Sequence, residues 1–147
     1  MSSFVPISTA AHLLQALSYV WAGLVLGISF LEAPVKFTAP TLTRAVGLDV
    51  GRHVFRALNR VEVGAGAGLA LLLPAADAST TLLVLGAAVL VVVGGQTLWL
   101  LPVLRGQAAA IIAGDVEETD GYAHLGYIFL EVGKVAALVA IGWAAAP

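Results

Sequence analysis

The chain contains no cysteine, and charged residues are scarce in it. The absence of cysteine from its 147 residues excludes disulfide bonds, thiolate metal sites and thiol catalysis. Only 11% of the residues are charged, whereas a typical soluble domain carries about 25%. Disorder requires low hydrophobicity and high net charge, but here 60% of the residues are hydrophobic and the formal net charge is −2. Because there is no basic field, we expect no nucleic-acid partner.

Long apolar runs are abundant, and four of them come close to the ~20 residues that cross a hydrocarbon core roughly 30 Å thick. They cover residues 10–31, 58–75, 81–101 and 123–145. Backbone groups inside a bilayer must pair internally, which favours helices, and the ~10-residue alternating strands of a transmembrane barrel are not visible. The sequence therefore predicts one all-α domain over residues 1–147. This domain would be a bundle of four transmembrane helices, with the lipid bilayer as its main partner.

The basic residues are distributed unevenly among the segments that connect these spans. Six of the seven lie in or beside the first and third loops: Lys36, Arg44, Arg52, Arg56, Arg60 and Arg105. The N-terminal segment, the second loop and the C-terminal tail contain none. Because cytoplasmic loops collect Lys and Arg, both termini are predicted to lie outside the cytoplasm.

The first loop is long and mixed in character. Pro34 and Pro40 stand at its start, and proline ends or kinks a helix, so the first helix is predicted to end near Leu31. A helical pattern resumes over residues 48–60, where Asp49 is predicted to cap the new helix. The second span is therefore expected to begin as a cytoplasmic helix that continues into the bilayer.

The other two connections differ in length. The second, "AADAST", is a tight turn, so the second and third spans are expected to be antiparallel neighbours. The third, "PVLRGQAAAIIAGDVEETDGY", begins as a helical extension and then becomes a solvated acidic turn. The acidic residues of that turn are Asp115, Glu117, Glu118 and Asp120.

Small residues are concentrated in the second span, where Gly64 and Gly68 form a G-x-x-x-G pair. Small residues let membrane helices approach closely. We expect this pair to mediate helix contact within one subunit. A contact between copies, in a homo-oligomer or a membrane complex, is the alternative.

The last span carries ionisable side chains on one face. His124, Tyr127, Glu131 and Lys134 have offsets of 0, 3, 7 and 10 and share one stripe at about 100° per residue. A charged residue at the centre of a membrane helix costs roughly 2.5–3.5 kcal/mol, so the stripe should face the bundle interior or water. Lys134 is predicted to pair with Glu131 one turn away and with Glu62 across the helix interface.

Polar residues from the other spans are predicted to lie at a similar depth. The resulting candidate site for a ligand or an ion consists of Glu32, Asn59, Glu62, Gln96, His124, Tyr127, Glu131 and Lys134. Its three glutamates outnumber its one lysine. Either basic residues at the interface or protonation of a carboxylate must therefore balance the charge, since burial disfavours the ionised form.

These residues favour a protein that binds or transports a proton, a cation or a small solute. The alternative is a structural or accessory subunit in which the polar network only orders helix packing. The sequence does not indicate an enzyme, because no nucleophile with a positioned base is evident, and it identifies no cofactor.

A third interpretation is a metal- or haem-dependent redox protein. The Glu-x-x-His pairs of di-iron bundles are absent. His12 and His124 are expected near opposite membrane faces, too far apart to ligate one haem. A metal site built from Glu62, Glu131, His124 and His53 is nevertheless geometrically allowed.

The stretch "FLEAPVKFTAPTLTRAVGLDVGRHVFRALNRVE" resembles a class of small bacterial four-helix inner-membrane proteins of unknown function. These are similar to the small eukaryotic transmembrane proteins linked to platinum-drug tolerance. The resemblance lies in Gly23 and Gly27, in the "APVKF" that follows, in a helix start near Phe55 and in His124 at the opening of the last helix. It implies a four-helix fold and a location in the bacterial inner membrane, without implying an activity.

Overall fold

Helices account for nearly all of the chain in a computed structural model that describes residues 6–119 and 121–146, and these residues contain no strand. The long helices are α1 (Ile7–Thr38), α2 (Arg44–Ala75), α3 (Thr80–Ala113) and α4 (Tyr122–Ala144). Three of them, α1, α3 and α4, are long and apolar enough to cross a membrane. Helix α2 is not among these three, since polar and charged residues such as Asn59, Arg60 and Glu62 lower its hydropathy.

The helices pack so that α1 and α3 each contact both α2 and α4. One half of the interior is an apolar core in which Leu14, Val25, Leu69 and Leu138 are fully buried. Large apolar side chains also cover the outside of the helices. Examples that are 73–82% exposed are Leu71, Val91, Leu98, Phe129 and Trp143. Such an apolar exterior is unusual for a soluble domain and matches the three helices of membrane-spanning character.

Helix α1 is longer than the sequence predicts, because it does not end before Pro34 but continues to Thr38. The backbone accommodates this proline by widening into a π-helical segment, Leu26–Glu32. Helix α3 repeats the arrangement, with a π-helical segment at Gln96–Leu100 and Pro102 two residues beyond it. A proline lacks an N–H and crowds the carbonyl four residues earlier, which in both helices belongs to the π-helical segment.

Helix α2 starts earlier than predicted and uses a different cap. Its first residue is Arg44, and the Thr43 hydroxyl accepts a hydrogen bond from the backbone N–H of Val46 at 3.3 Å. The prediction that Asp49 caps this helix is wrong. Asp49 lies inside the second turn, and its carboxylate accepts from Arg52 Nε at 2.6 Å. A threonine hydroxyl at the N-cap satisfies one of the free N–H groups of the first turn, which leaves Asp49 free for this pair.

The two later connections agree with their predictions. The second is a short turn in which Ser79 caps α3, so α2 and α3 are antiparallel neighbours. Helix α3 extends through the start of the third loop to Ala113 and ends at Gly114, whose φ of 80° favours glycine. In the acidic turn that follows, Asp115, Glu117 and Glu118 are exposed, while Asp120 lies outside the described residues.

Candidate functional site

A buried lysine lies at the centre of the polar interior. Lys134, on α4, is 1% exposed, and its ammonium forms close ion pairs with Glu62 and, at 2.6 Å, with Glu131 Oε1. It also donates to Gln96 Oε1 at 2.9 Å. An ammonium has three N–H donors, and Lys134 has three acceptors, one on each of α2, α3 and α4. The pairing predicted from the sequence is confirmed.

The two glutamates are held by further donors. Glu131 is completely buried; its Oε1 accepts from Gln96 Nε2 at 2.8 Å and its Oε2 accepts from Ser29 Oγ at 2.9 Å. Glu62, 2% exposed, accepts from the indole Nε1 of Trp21 at 3.0 Å. We name Trp21, Ser29, Glu62, Gln96, Glu131 and Lys134 the buried cluster. Every long helix contributes at least one of its members.

The π-helical segments supply two of the groups that hold Glu131. Ser29 lies within the segment of α1, and Gln96 opens the segment of α3. Both side chains donate to the carboxylate of Glu131, Ser29 from α1 and Gln96 from α3. Short π-helical turns occur frequently at functional sites, where the widened backbone places side chains that a regular helix would direct elsewhere.

The buried cluster contains two carboxylates and one ammonium, so it carries one excess negative charge when all three groups are ionised. Other titratable groups close to it are few among the described residues. Tyr127, buried on α4, lies beside Ser29 and Glu131 and packs edge-to-face on Phe55 with ring centroids 5.6 Å apart. A buried charge without a partner is costly, so this excess charge would need a nearby cation or a proton to balance it.

A cavity of about 720 Å³ approaches the buried cluster from one end of the molecule. Its inner end is polar and includes Ser29, Tyr127 and Glu131. Its mouth is lined by basic residues from the first and third loops and the adjoining helix ends: Lys36, Arg44, Arg52 and Arg105. Between them the walls are apolar. On the far side of the buried cluster lies the apolar core around Leu14 and Leu138, so the cavity reaches Glu131 from the loop end.

The remaining predicted residues lie around the buried cluster, outside its ion pairs. Asn59 is buried and accepts from Thr97 Oγ1 at 2.8 Å, next to Gln96. Glu32 is only partly buried and pairs with Lys36 at 3.3 Å. Its predicted place in the central site is therefore wrong, since Lys36 is one helical turn away, closer to the C-terminal end of α1.

His124 also differs from its prediction. It is exposed in the first turn of α4 and lines the cavity mouth, because one further turn of helix separates it from the buried Tyr127. Across residues 6–119 and 121–146, no group of three or more His, Asp and Glu side chains could hold a metal ion. Glu62, Glu131, His124 and His53 thus do not assemble into a metal site.

Sequence reasoning missed Trp21 and Ser29. An indole in an apolar span is typical of packing or of a membrane interface, and a serine in such a span gives no specific signal. Their role becomes visible only when α1 is packed against α2 and α4, because each donates to a carboxylate on another helix.

Comparisons with family models, with characterised proteins and with solved structures give no match to this chain. The inference of function consequently depends on the geometry of the buried cluster and the cavity.

Proposed function

We propose that this protein is a four-helix membrane protein of the bacterial inner membrane that binds a proton at the Glu62–Lys134–Glu131 ion pairs and couples it to a small solute in the adjoining cavity. In this arrangement α2 crosses the bilayer with α1, α3 and α4, and both termini lie outside the cytoplasm. The observation that carries the proposal is the sharing of one fully buried ammonium by two buried carboxylates, one of which lies at the end of a cavity.

The environment of the carboxylates favours a proton over a metal cation. Hard cations bind several oxygen ligands. Here the carboxylate oxygens already accept from N–H donors: the ammonium of Lys134, the amide of Gln96 and the indole of Trp21. These donors would repel a second cation and leave few oxygen atoms free to bind it. A proton needs no such shell and removes the excess charge directly.

The position of Glu131 links the proton to the cavity. Its Oε2 is held by Ser29, which lines the cavity together with Tyr127, so a solute at the inner end would contact the same hydrogen bonds. Protonation of the carboxyl would weaken its ion pair with Lys134 and free that ammonium to favour Glu62. The apolar core beyond the buried cluster closes the other route, which matches a carrier open to one side at a time rather than a continuous channel.

Proton flux in proteoliposomes tests this proposal. Vesicles with a trapped pH indicator would receive an inside-negative potential from a potassium gradient and valinomycin, with candidate solutes added outside, because a coupled carrier moves protons only together with its solute. Wild-type protein is expected to acidify the interior faster than empty vesicles, and Glu131→Gln is expected to abolish the difference. Glu32→Gln is the matched control, because it removes a carboxylate that pairs with Lys36 outside the buried cluster. Wild-type flux equal to that of empty vesicles would overturn transport.

A structural or accessory subunit is the second candidate, and one observation favours it. Lys134 has all three of its donors satisfied, and the hydrogen bonds of the buried cluster join all of the long helices. Under this proposal, replacing the three ionisable groups with Lys134→Met, Glu62→Gln and Glu131→Gln would preserve the fold and the biological role together. A folded triple variant that loses proton flux or a cellular phenotype would exclude it.

A further inference from the structure

The mouth of the cavity gathers positive charge from three separate segments. Lys36 comes from the end of α1, Arg44 and Arg52 from the start of α2, and Arg105 from the second half of α3. The acidic side chains that line the cavity are Glu118, which is exposed in the last loop, and Glu131, at the inner end. Glu32 and Asp49 lie outside the lining but pair with Lys36 and Arg52, so a small excess of positive charge is left at the mouth, and it favours an anionic group.

These four cations differ in how far they are already neutralised. Lys36 pairs with Glu32 at 3.3 Å, Arg52 pairs with Asp49 at 2.6 Å, and Arg44 donates to a backbone carbonyl of Glu117 at 2.9 Å.

Arg105 is different. Its Nε is buried and has no hydrogen-bond partner among the described residues. A buried guanidinium N–H without an acceptor is unfavourable, and because Arg105 lines the cavity, a rotation of its side chain would bring this guanidinium to an acceptor there.

Below this basic mouth the cavity walls are apolar and aromatic. They include Phe30, Phe55, Leu101, Leu104 and Ile128. The ammonium of Lys36 lies 5.9 Å from the centroid of the Phe55 ring, so charge and aromatic surface adjoin directly. The volume of about 720 Å³ is within the range of roughly 300–1,000 Å³ that is typical of small-molecule sites.

We infer that the cavity binds an amphiphilic anion, in which a carboxylate or phosphate head contacts Arg105 and Lys36 and a single apolar chain or ring packs against Phe55 and Leu104. The inference deepens the proposed function, since it names the class of solute. A guanidinium presents paired N–H donors that match carboxylate and phosphate oxygens alike. The apolar walls reject a bare inorganic ion, and the basic mouth rejects a cationic amphiphile.

Isothermal titration of the protein in zwitterionic lipid nanodiscs tests the inference, with empty nanodiscs correcting for partitioning. The probes are dodecyl phosphate, dodecanoate, dodecanol and inorganic phosphate. Dodecyl phosphate, dodecanoate or both should bind saturably, and the stronger of the two identifies the preferred head. Dodecanol and inorganic phosphate should bind at least tenfold more weakly, since each lacks one half of the recognised chemistry. Equal binding of dodecanol and both anions, or no saturable binding of either anion, would overturn the inference.

Arg105→Gln should weaken binding of the preferred anion roughly tenfold or more, which corresponds to the loss of a charge-assisted hydrogen bond. Arg60→Gln is the matched control, because Arg60 is exposed on α2 and does not line the cavity. Arg105→Lys provides a second variant if the glutamine variant fails to fold. It retains the positive charge but loses the paired N–H donors of the guanidinium, so it should bind the anion with intermediate affinity. Unchanged affinity in a folded Arg105 variant would contradict the assignment.

The outcome is separable from that of the proton-flux experiment. Saturable anion binding without proton flux would retain the cavity site and overturn coupled transport. Proton flux that depends on Glu131, with no binding of either anion, would retain the proton site and overturn the inferred solute class.

Discussion

At the scale of single residues, the central feature is a lysine that three helices neutralise together. Lys134 lies where a charge is most costly, and it is tolerated because each of its donors meets an acceptor on Glu62, Gln96 or Glu131. In a buried pair, desolvation roughly offsets the attraction, so the pair contributes little net stability. Loss of one member, by contrast, leaves an uncompensated charge.

Lys134→Met is therefore expected to destabilise the protein by about 3–5 kcal/mol, because it leaves the two buried glutamates without their shared cation. The triple variant Lys134→Met, Glu62→Gln, Glu131→Gln should recover most of that loss. Melting temperatures in detergent would compare the two. If the single and triple variants melt equally below wild type, Lys134 does not neutralise both glutamates.

The indole N–H of Trp21 is expected to contribute to the stability of the folded protein. Trp21→Phe keeps most of the ring and removes the donor to Glu62 Oε1, so it should cost about 1–3 kcal/mol, the range for a buried acceptor that loses its partner. Trp143→Phe is the control, since Trp143 is 79% exposed, and it should change stability by less than about 0.5 kcal/mol. Equal effects in a thermal-melting comparison would show that the Trp21 hydrogen bond contributes nothing.

The sequence predicts part of this site for a clear physical reason. Glu131 and Lys134 are one turn apart on a helix with few other polar residues, so their pairing follows from helical geometry. Glu62 could also be assigned to the site from the sequence, because its predicted depth in the bundle is similar to that of Glu131. Trp21 could not be added, since an indole donor and an indole used for packing look identical in sequence. Glu32 was misplaced because its nearer partner, Lys36, was assigned to a loop.

At the scale of helices, the π-helical segments of α1 and α3 connect the positions of two prolines with the hydrogen bonds of the buried cluster. Each lies two residues before a proline, Pro34 or Pro102, and each supplies a donor to Glu131. The sequence indicated a break at Pro34. It could not show that the helix would widen and continue to Thr38, because that outcome depends on packing against α2 and α4.

Close packing of α2 is expected to depend on Gly66 more than on Gly64. A Cβ built on Gly66 would lie 3.1 Å from Leu90 Cδ2 of α3, whereas one on Gly64 meets nothing within 4 Å. Gly66→Leu should therefore cost about 1–3 kcal/mol through overpacking, measured as a loss of melting temperature. Gly64→Leu is the matched control. A lowered melting temperature or a lost oligomer in Gly64→Leu alone would assign this face to contact between copies.

At the scale of the whole molecule, polarity is arranged with charge inside and apolar surface outside. Ionisable side chains lie in the middle of the helix packing, while Leu98 and Phe129 are more than 70% exposed. The basic residues that line the cavity are all at one end of the helices. Hydropathy and the positions of Lys and Arg carry this information in the sequence. The cavity itself could not be foreseen, since its shape is set by how the loop ends pack.

The proposed topology predicts opposite accessibility for the two ends. Because the chain lacks cysteine, Thr80→Cys and Asp115→Cys each introduce a single thiol at an exposed position. In spheroplasts, a membrane-impermeant maleimide should label Thr80→Cys, at the outward end of α3, and should label Asp115→Cys only after lysis. The reverse pattern would place the cavity mouth outside the cytoplasm, and labelling of both before lysis would contradict a membrane-spanning arrangement.

We propose that the two buried glutamates, which share one ammonium, hold one exchangeable proton. Infrared difference spectroscopy of the reconstituted protein during a pH titration tests it most directly, because a protonated carboxyl absorbs separately from a carboxylate. The two glutamates share one ammonium, so the signal is assigned to the pair. Wild type and Glu32→Gln should show one buried protonated carboxyl that disappears as the pH rises, and the double variant Glu62→Gln, Glu131→Gln should lack it. A wild-type spectrum without this band at any pH at which the protein is folded would contradict the account.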